Sequence, residues 1–445
     1  MAQILAGGSE PNAGGNTEVI TQVQTATWAQ LQGKPYIEVS SKGIANGLSS
    51  VINDGADFGP DTTEGATAPG QYGSPYTETS GLEDALNYSE SLNPSGNSQT
   101  YMVQVITNGA NLILSRTVNV PNVNTSVTIC SAGKRWAYMK VTGNFPFFTF
   151  GSAFKEDLLI EGFFLLNAQT NSVPQVDLSA VNANNDIHFR LMYFQGYNTS
   201  AAAITFGTVN TITLDSCYGA TSFSGTFGLL IAKDVQIWTN NNWAGAQGQI
   251  QGSGNGGMPF GSAYLYGCSF VVNSGTTISV IVSGNMSGIY IYGTEIPYNA
   301  SDISAIEIES GVTVKNVILD GYNDIYPSSL NYSLTSNFLV NNGTIQNYTR
   351  RNVTSTRPDL SPSTTNGTTA GTIKQVTYEY QQYYKKTVLY FSGYENDTST
   401  NQSVTFTLAF VTTAVHLSWD SDLLNPLSSM FPILSLYGST CLQKS

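Results

Sequence analysis

Charge is what this sequence has least of. Only 11% of its 445 residues are charged, against roughly 25% in an ordinary soluble protein. Ser, Thr, Asn, Gly and Tyr stand in for the missing charges. Disorder is not the consequence, because 41% of the chain is hydrophobic and 11% aromatic. The formal charge is −13 with 17 Lys+Arg, and the tightest basic clusters are the pairs Lys134–Arg135, Arg350–Arg351 and Lys385–Lys386. A nucleic-acid partner needs a basic patch to neutralise phosphates, so that class is excluded. With only His188 and His416, a multi-His metal site is excluded too. The four cysteines (Cys130, Cys217, Cys268 and Cys441) make neither a disulfide framework nor a zinc spacing. Neither metal nor cofactor is expected. Long apolar runs are also missing: the uncharged stretch Ser399–Trp419 alternates through Val404, Phe406, Leu408 and Phe410 as a strand does, so no membrane insertion is expected. The opening MAQILAGGSEPNAGG has no basic n-region and no apolar h-region, and reads as something other than a secretory signal.

What is abundant is a recurring short beat. LIEGFFL (159–165), HFRLMYF (188–194), TLDSCYG (213–219), QIWTNNN (236–242), YLYGCSF (264–270), YIYGTEI (290–296) and ILDGYND (318–324) each carry an apolar anchor in second place. The anchors are Ile160, Phe189, Leu214, Ile237, Leu265, Ile291 and Leu319, at successive gaps of 29, 25, 23, 28, 26 and 28 residues. QIWTNNN is the weakest beat. One short strand after another with Gly/Asn/Ser turns between is a solenoid signal. The leucine-rich frame is absent, as are helical segments between beats, which leaves a parallel β-helix: all-β, with each strand paired to the one a turn earlier at ~4.8 Å. The anchors then face inward. Cys217 and Cys268, three places after their anchors, are expected as free buried thiols.

A β-helix needs its ends covered. TSGLEDALNYSESL (79–92) reads as a short helix, with Ser80 as N-cap, Glu83 completing a capping box, and Leu82, Ala85, Leu86 and Tyr88 as its apolar stripe. MVQVIT (102–107), LILSRTVNV (112–120) and SVTICSAG (126–133) follow as the first strands. The order VINDGADFGPDT, then this helix, then LILSRTVNVPNVNTSVTICSAG, resembles the N-terminal region of pectin-lyase-like β-helix proteins, the group that includes phage tailspikes and related viral fibres. The resemblance covers roughly residues 50–345. It implies a right-handed parallel β-helix with an N-terminal capping helix. The expected organisation is an attachment or irregular segment over 1–50, the β-helix over 51–345, a Thr/Asn/Ser/Pro linker over 346–372, and a C-terminal β-sandwich over 373–445, where QVTYEYQQYY, KKTVLYFSGY and SVTFTLAFV alternate.

The residue after each anchor faces solvent, giving a column of Glu161, Arg190, Asp215, Trp238, Tyr266, Tyr292 and Asp320. Rings offer apolar faces to pyranose C–H groups and carboxylates accept hydroxyl hydrogen bonds, so Trp238, Tyr266, Tyr292, Asp215, Asp320 and Glu161 are the glycan-binding candidates. The bland alternative is cross-strand packing of exposed rings. The resemblance also raises glycoside hydrolysis or lyase chemistry, but the polygalacturonase signatures and the pectate-lyase calcium cluster are absent, so no catalytic residue is assigned. Sequons at Asn331, Asn342, Asn347, Asn352, Asn366, Asn396 and Asn401 are glycosylation candidates, clustered in the expected linker region and the turns that follow. These observations together lead to the expectation of a viral spike or tail-fibre subunit at the virion surface or otherwise extracellular. It would be a homotrimer, joined to a virion base or capsid protein through its N-terminal segment, and would meet host-surface carbohydrate. A carbohydrate-active β-helix enzyme and a host cell-surface adhesin are the alternatives.

Overall fold

The computed structural model describes residues 36–43, 56–92, 102–107, 110–121, 126–133, 136–166, 172–195, 201–238, 241–245, 261–270, 278–293, 304–321, 323–324, 339–351, 354–355, 360–361, 372–382 and 385–392. The chain divides into two compact units, one within Met1–Val209 and Asp215–Ala220, the other within Asn210–Leu214 and Thr221–Ser445. Each is an all-β, parallel, solenoid-like stack.

In the first unit, β1 (Tyr36–Ser40) and β2 (Met102–Ile106) pair in parallel, Ile37 over Val103 and Val39 over Val105. Val127–Ser131, Leu158–Glu161 and the second half of Val176–Arg190 continue this ladder. Period-2 alternation explains the register: Val103, Ile129, Ile160 and Phe189 fall on one another and are fully buried. Slipping one strand by a residue would expose its whole apolar set. Burial of each such side chain contributes about 1.5–3 kcal/mol. A second ladder stacks Leu112–Leu114, Ala137–Val141, Phe163–Leu166, Tyr193–Gln195 and Tyr218–Gly219. A third begins with Val118–Val120 and Phe148–Phe150 and runs to the first half of Val176–Arg190. β1 lies inside the stretch expected to be irregular; YIEVS alternates well enough to make the first strand of the ladder.

The helix α1 (Leu82–Ser91) buries Leu82, Ala85, Leu86 and Tyr88, as its stripe requires. Its expected capping box does not form. Gly81 is the N-cap, without a side-chain cap. The Ser80 hydroxyl donates to the Ile113 carbonyl, while Glu83 is taken by Arg116 at 2.6 Å and by the Asn119 amide at 2.7 Å. A guanidinium in reach holds a carboxylate more strongly than one backbone N–H does. No helix among the described residues is long and apolar enough to cross a membrane.

In the second unit, the ladder runs from the second half of Phe223–Lys233 through Ser262–Tyr266, Met286–Tyr292, Thr313–Asp320, Thr344–Arg351 and Thr372–Gln382, all parallel. Lys385–Ser392 then folds back antiparallel. Parallel rungs thus run past residue 345, through part of the stretch expected to be a linker. Beyond residue 392 the expected sandwich lies outside the described residues, as do residues 1–35. A companion ladder of Asn241–Gly245, Ile278–Val282, Ser304–Ile308 and Leu339–Asn341 buries Trp243, with Phe223 stacked on it at 5.2 Å.

One expected rung is corrected here. Leu265 pairs with Ala232, not Ile237. Ile237 belongs to the short strand Gln236–Ile237, which pairs with Ser269–Phe270 on another sheet. The beat is LIAKD, hard to see because its anchor is a small Ala and its turn residue an Asp.

That turn residue explains the beat's glycine. After the outward residue the chain turns a corner in the left-handed region: Gly162 (φ 83), Leu191 (51) and Ser216 (54) in the first unit; Asp234 (51), Gly267 (59), Gly293 (60) and Gly321 (67) in the second. Corner amides donate to the outward residue's carbonyl one rung on, as Gly267 to Tyr292 (2.9 Å) and Gly293 to Asp320 (2.9 Å) do. Only glycine enters this region without steric cost.

Candidate functional site

Two outward columns carry polar chemistry, one in each unit. In the first, Cys130, Glu161 and Arg190 are in register, and Arg190 reaches Glu161 at 3.6 Å and Asp215 at 3.7 Å. Both pairs are partly solvated, which limits each to about 0–1 kcal/mol. Arg190 sits between the two carboxylates and holds both as ion-pair partners. His188 lies two residues before Arg190 on the same face. Burial pushes its imidazole below the ordinary value, with Asp215 and Glu161 opposing and Arg190 reinforcing. Among the described residues its buried Nε2 has no hydrogen-bond partner.

In the second unit the column reads Lys233, Tyr266, Tyr292, Asp320, Arg351. Beside it, Tyr264 and Tyr290 are in register. Tyr266 stacks on Tyr292 at 5.2 Å and 10°, and Tyr264 on Tyr290 at 4.5 Å and 12°. Near-parallel rings this close overlap face to face and cannot lie side by side in one plane. Their outward aspect is therefore ring edges and hydroxyls; one rung beyond its ends the Tyr264–Tyr290 stack is flanked in register by Ile231 and Ile318, and the Tyr266–Tyr292 stack by Lys233 and Asp320. Gly288 is part of the design, because a Cβ there would lie 2.3 Å from the Tyr290 ring. Burial first, then the neighbouring tyrosine, pushes the Tyr290 and Tyr292 hydroxyls above their usual value, so both are neutral donors at physiological pH. Asp320 and Arg351 approach to 3.9 Å at the far end, and Lys233 is exposed at the near end.

The structure thus unites Tyr266, Tyr292 and Asp320 in one column, and Glu161 with Asp215 through Arg190. Trp238 leaves the column: it follows the Gln236–Ile237 strand, is half-buried, and Lys233 holds the place expected for it. Asn342 donates its amide to Glu307 at 2.8 Å. Asn347 is exposed and donates to Asn316 at 3.0 Å. Asn331, Asn352, Asn366, Asn396 and Asn401 lie outside the described residues. Cys130, Cys217 and Cys268 are buried and outside any disulfide, and among the described residues no cluster could hold a metal.

Sequence reasoning missed Tyr264 and Tyr290, although both precede their anchors by one residue in the two most similar beats. It also missed an aromatic ladder in the first unit. Tyr138, Phe164, Tyr193 and Tyr218 are in register on the second ladder, with Phe164 and Tyr193 stacked at 4.2 Å and Trp136 against both. The signal was present: Phe164, Tyr193 and Tyr218 each stand four residues after an anchor. The chain matches no family model, no curated protein and no solved structure.

Proposed function

We propose that this chain is an attachment subunit of a viral spike or tail fibre, which displays a right-handed, pectin-lyase-like β-helix to host-surface glycans. Its N-terminal segment would join a virion base or capsid protein, α1 would cap the helix, and a C-terminal β-sandwich and homotrimer would complete it at the virion surface. The observation that carries this reading is the double tyrosine stack on the outer face of a parallel ladder. A row of tyrosine hydroxyls with an apolar ring face at its Tyr266 end matches a saccharide, which offers hydroxyls along its rim and C–H groups on its faces. The scarcity of charge over the whole chain supports a neutral polar partner as well.

Binding to a panel of immobilised glycans tests the proposal. Wild type is expected to select a saccharide that Y266A/Y292A loses by at least about tenfold, equivalent to 1.4 kcal/mol, with unchanged circular dichroism. Equal binding by both would remove the tyrosine face from the reading. Incubation with the selected saccharide adds a second outcome, since reducing ends or unsaturated products would reassign the chain to the carbohydrate-active enzymes.

A further inference from the structure

The first strand of a parallel stack has a problem that the inner strands lack. β1 pairs with β2 on one side, and the backbone groups of its other side would face solvent as a template for any extended chain. In this protein that side is occupied. Asp57 and Phe58 lie along β1 as the beginning of a further parallel rung, with a bridge between Phe58 and Val39. The Asp57 and Phe58 amides both donate to the Glu38 carbonyl at 3.0 Å, and the Ser40 amide donates to the Phe58 carbonyl at 3.0 Å. The Glu38 amide donates to the Asp57 carboxylate at 2.9 Å, so a side chain stands where the next backbone carbonyl would be. Phe58 is buried and extends the apolar column of β1, with its ring 5.8 Å from that of Tyr88 on α1.

The segment behind these two residues is fastened down. Tyr72 donates its hydroxyl to the Ala56 carbonyl at 2.9 Å, and the Gly70 amide donates to the Asp57 carbonyl at 3.1 Å. Gly59 and Gly81 touch so closely that a Cβ on Gly81 would lie 2.7 Å from the Gly59 nitrogen. Arg116 straps the segment from outside through Glu64 (2.9 Å) and Glu78 (3.5 Å), and holds α1 through Glu83 (2.6 Å).

We propose that residues 56–81 are a built-in plug: Asp57 and Phe58 occupy the edge of β1, and without them that edge accepts a strand from a second copy of this chain. The occupant follows from the register. Every rung of the unit receives its neighbour in parallel with branched or aromatic residues in line, and this chain carries many strands of that pattern. Strand addition of this kind draws its affinity from main-chain hydrogen bonds and its specificity from alternate side chains. The plug keeps growth of the stack within one molecule.

Hydrogen exchange on the intact protein is the first test. The Glu38 and Ser40 amides should exchange as slowly as amides of the inner rungs; exchange as fast as that of exposed loops would overturn the proposal. Asp57→Ala should speed exchange at Glu38 by at least about tenfold, while Asp57→Asn, which keeps an acceptor oxygen, should not. The second test is association. Asp57→Ala and Gly81→Ala should gain mass with concentration in light scattering and bind a labelled peptide YMVQVIT, the β2 sequence, whereas wild type and Asp57→Asn should do neither. Folded variants that keep the wild-type mass and ignore the peptide would refute the plug. If a variant loses the wild-type circular dichroism, the wild-type exchange rates decide.

Discussion

Replacing Gly293 with Ala isolates the corner's backbone conformation from everything else. Gly293 has φ 60, and a Cβ built on it meets no atom of the described residues within 4 Å. Ala there adds no clash and removes no hydrogen bond, so its cost is the left-handed conformation itself, roughly 1–2 kcal/mol, reduced by the stiffer unfolded chain to about 1 kcal/mol. Gly219 has φ 78, but its Cβ would stand 2.4 Å from the Phe194 carbonyl oxygen, which accepts the Ala220 amide at 2.7 Å. Ala at 219 must strain the backbone and disturb that bond, for a sum of about 2–3 kcal/mol. Stacked repeats can open in parts, so the assay should read local stability by native-state hydrogen exchange. For Gly293→Ala, the amides of residue 267, at the neighbouring corner, and of residue 293 itself should exchange about fivefold faster, as 1 kcal/mol requires. Gly219→Ala should accelerate the Ala220 amide by a larger factor. No change for Gly293→Ala, or a larger effect than for Gly219→Ala, would refute the corner as the reason for the beat's glycine.

The same geometry predicts that Leu191→Asn, at φ 51 with a side chain that is 40% exposed, stabilises its rung by about 0.5–1 kcal/mol in urea unfolding, because Asn tolerates the left-handed region. Asp84 is buried in the first turn of α1, and its carboxyl is raised by burial, with Glu64 and Glu83 adding and a Thr77 hydrogen bond opposing. The folded state therefore keeps a proton that the unfolded state releases above the usual carboxyl value, so stability falls as pH rises through that window. Asp84→Asn should remove this slope and gain up to about 1 kcal/mol at pH 7, read from unfolding midpoints at several pH values. Burial pushes the Cys268 thiol up to about 12 and the Cys130 thiol up to about 11. In a Cys441→Ser background, no thiol should react with a disulfide reagent at pH 8 until the protein is denatured; rapid native labelling would place a cysteine at the surface.

Much of the fold was legible because the parallel stack repeats one requirement. An inward residue must be apolar and an outward one polar or aromatic, and the corner residue must tolerate positive φ; YLYGCSF and YIYGTEI meet all three. LIAKD satisfies them with Ala232, Lys233 and Asp234, none of which stands out in a chain rich in small and polar residues. QIWTNNN drew the reading instead, because Ile237 looks like an anchor although it belongs to another sheet, and Trp238 was misplaced with it. The capping box failed for a different reason. Its two residues are local, but their competitors, the Ile113 carbonyl of the Leu112–Leu114 strand and Arg116 in the bend after it, lie about thirty residues on and enter only when the chain is folded. The site was half legible. A column of outward residues follows from period and register, so Tyr266, Tyr292 and Asp320 could be grouped from sequence. What such a column offers a ligand depends on side-chain rotation, which no spacing encodes. A tyrosine imagined alone shows a flat apolar face; two tyrosines one rung apart close those faces on each other and turn their hydroxyls outward. Recognition at this surface should accordingly depend on hydrogen-bond geometry along the row and on stacking only at its ends. Of the two ring ends in the column, the Tyr266 end beside Lys233 is the more open, since an ion pair covers the approach beyond Tyr292.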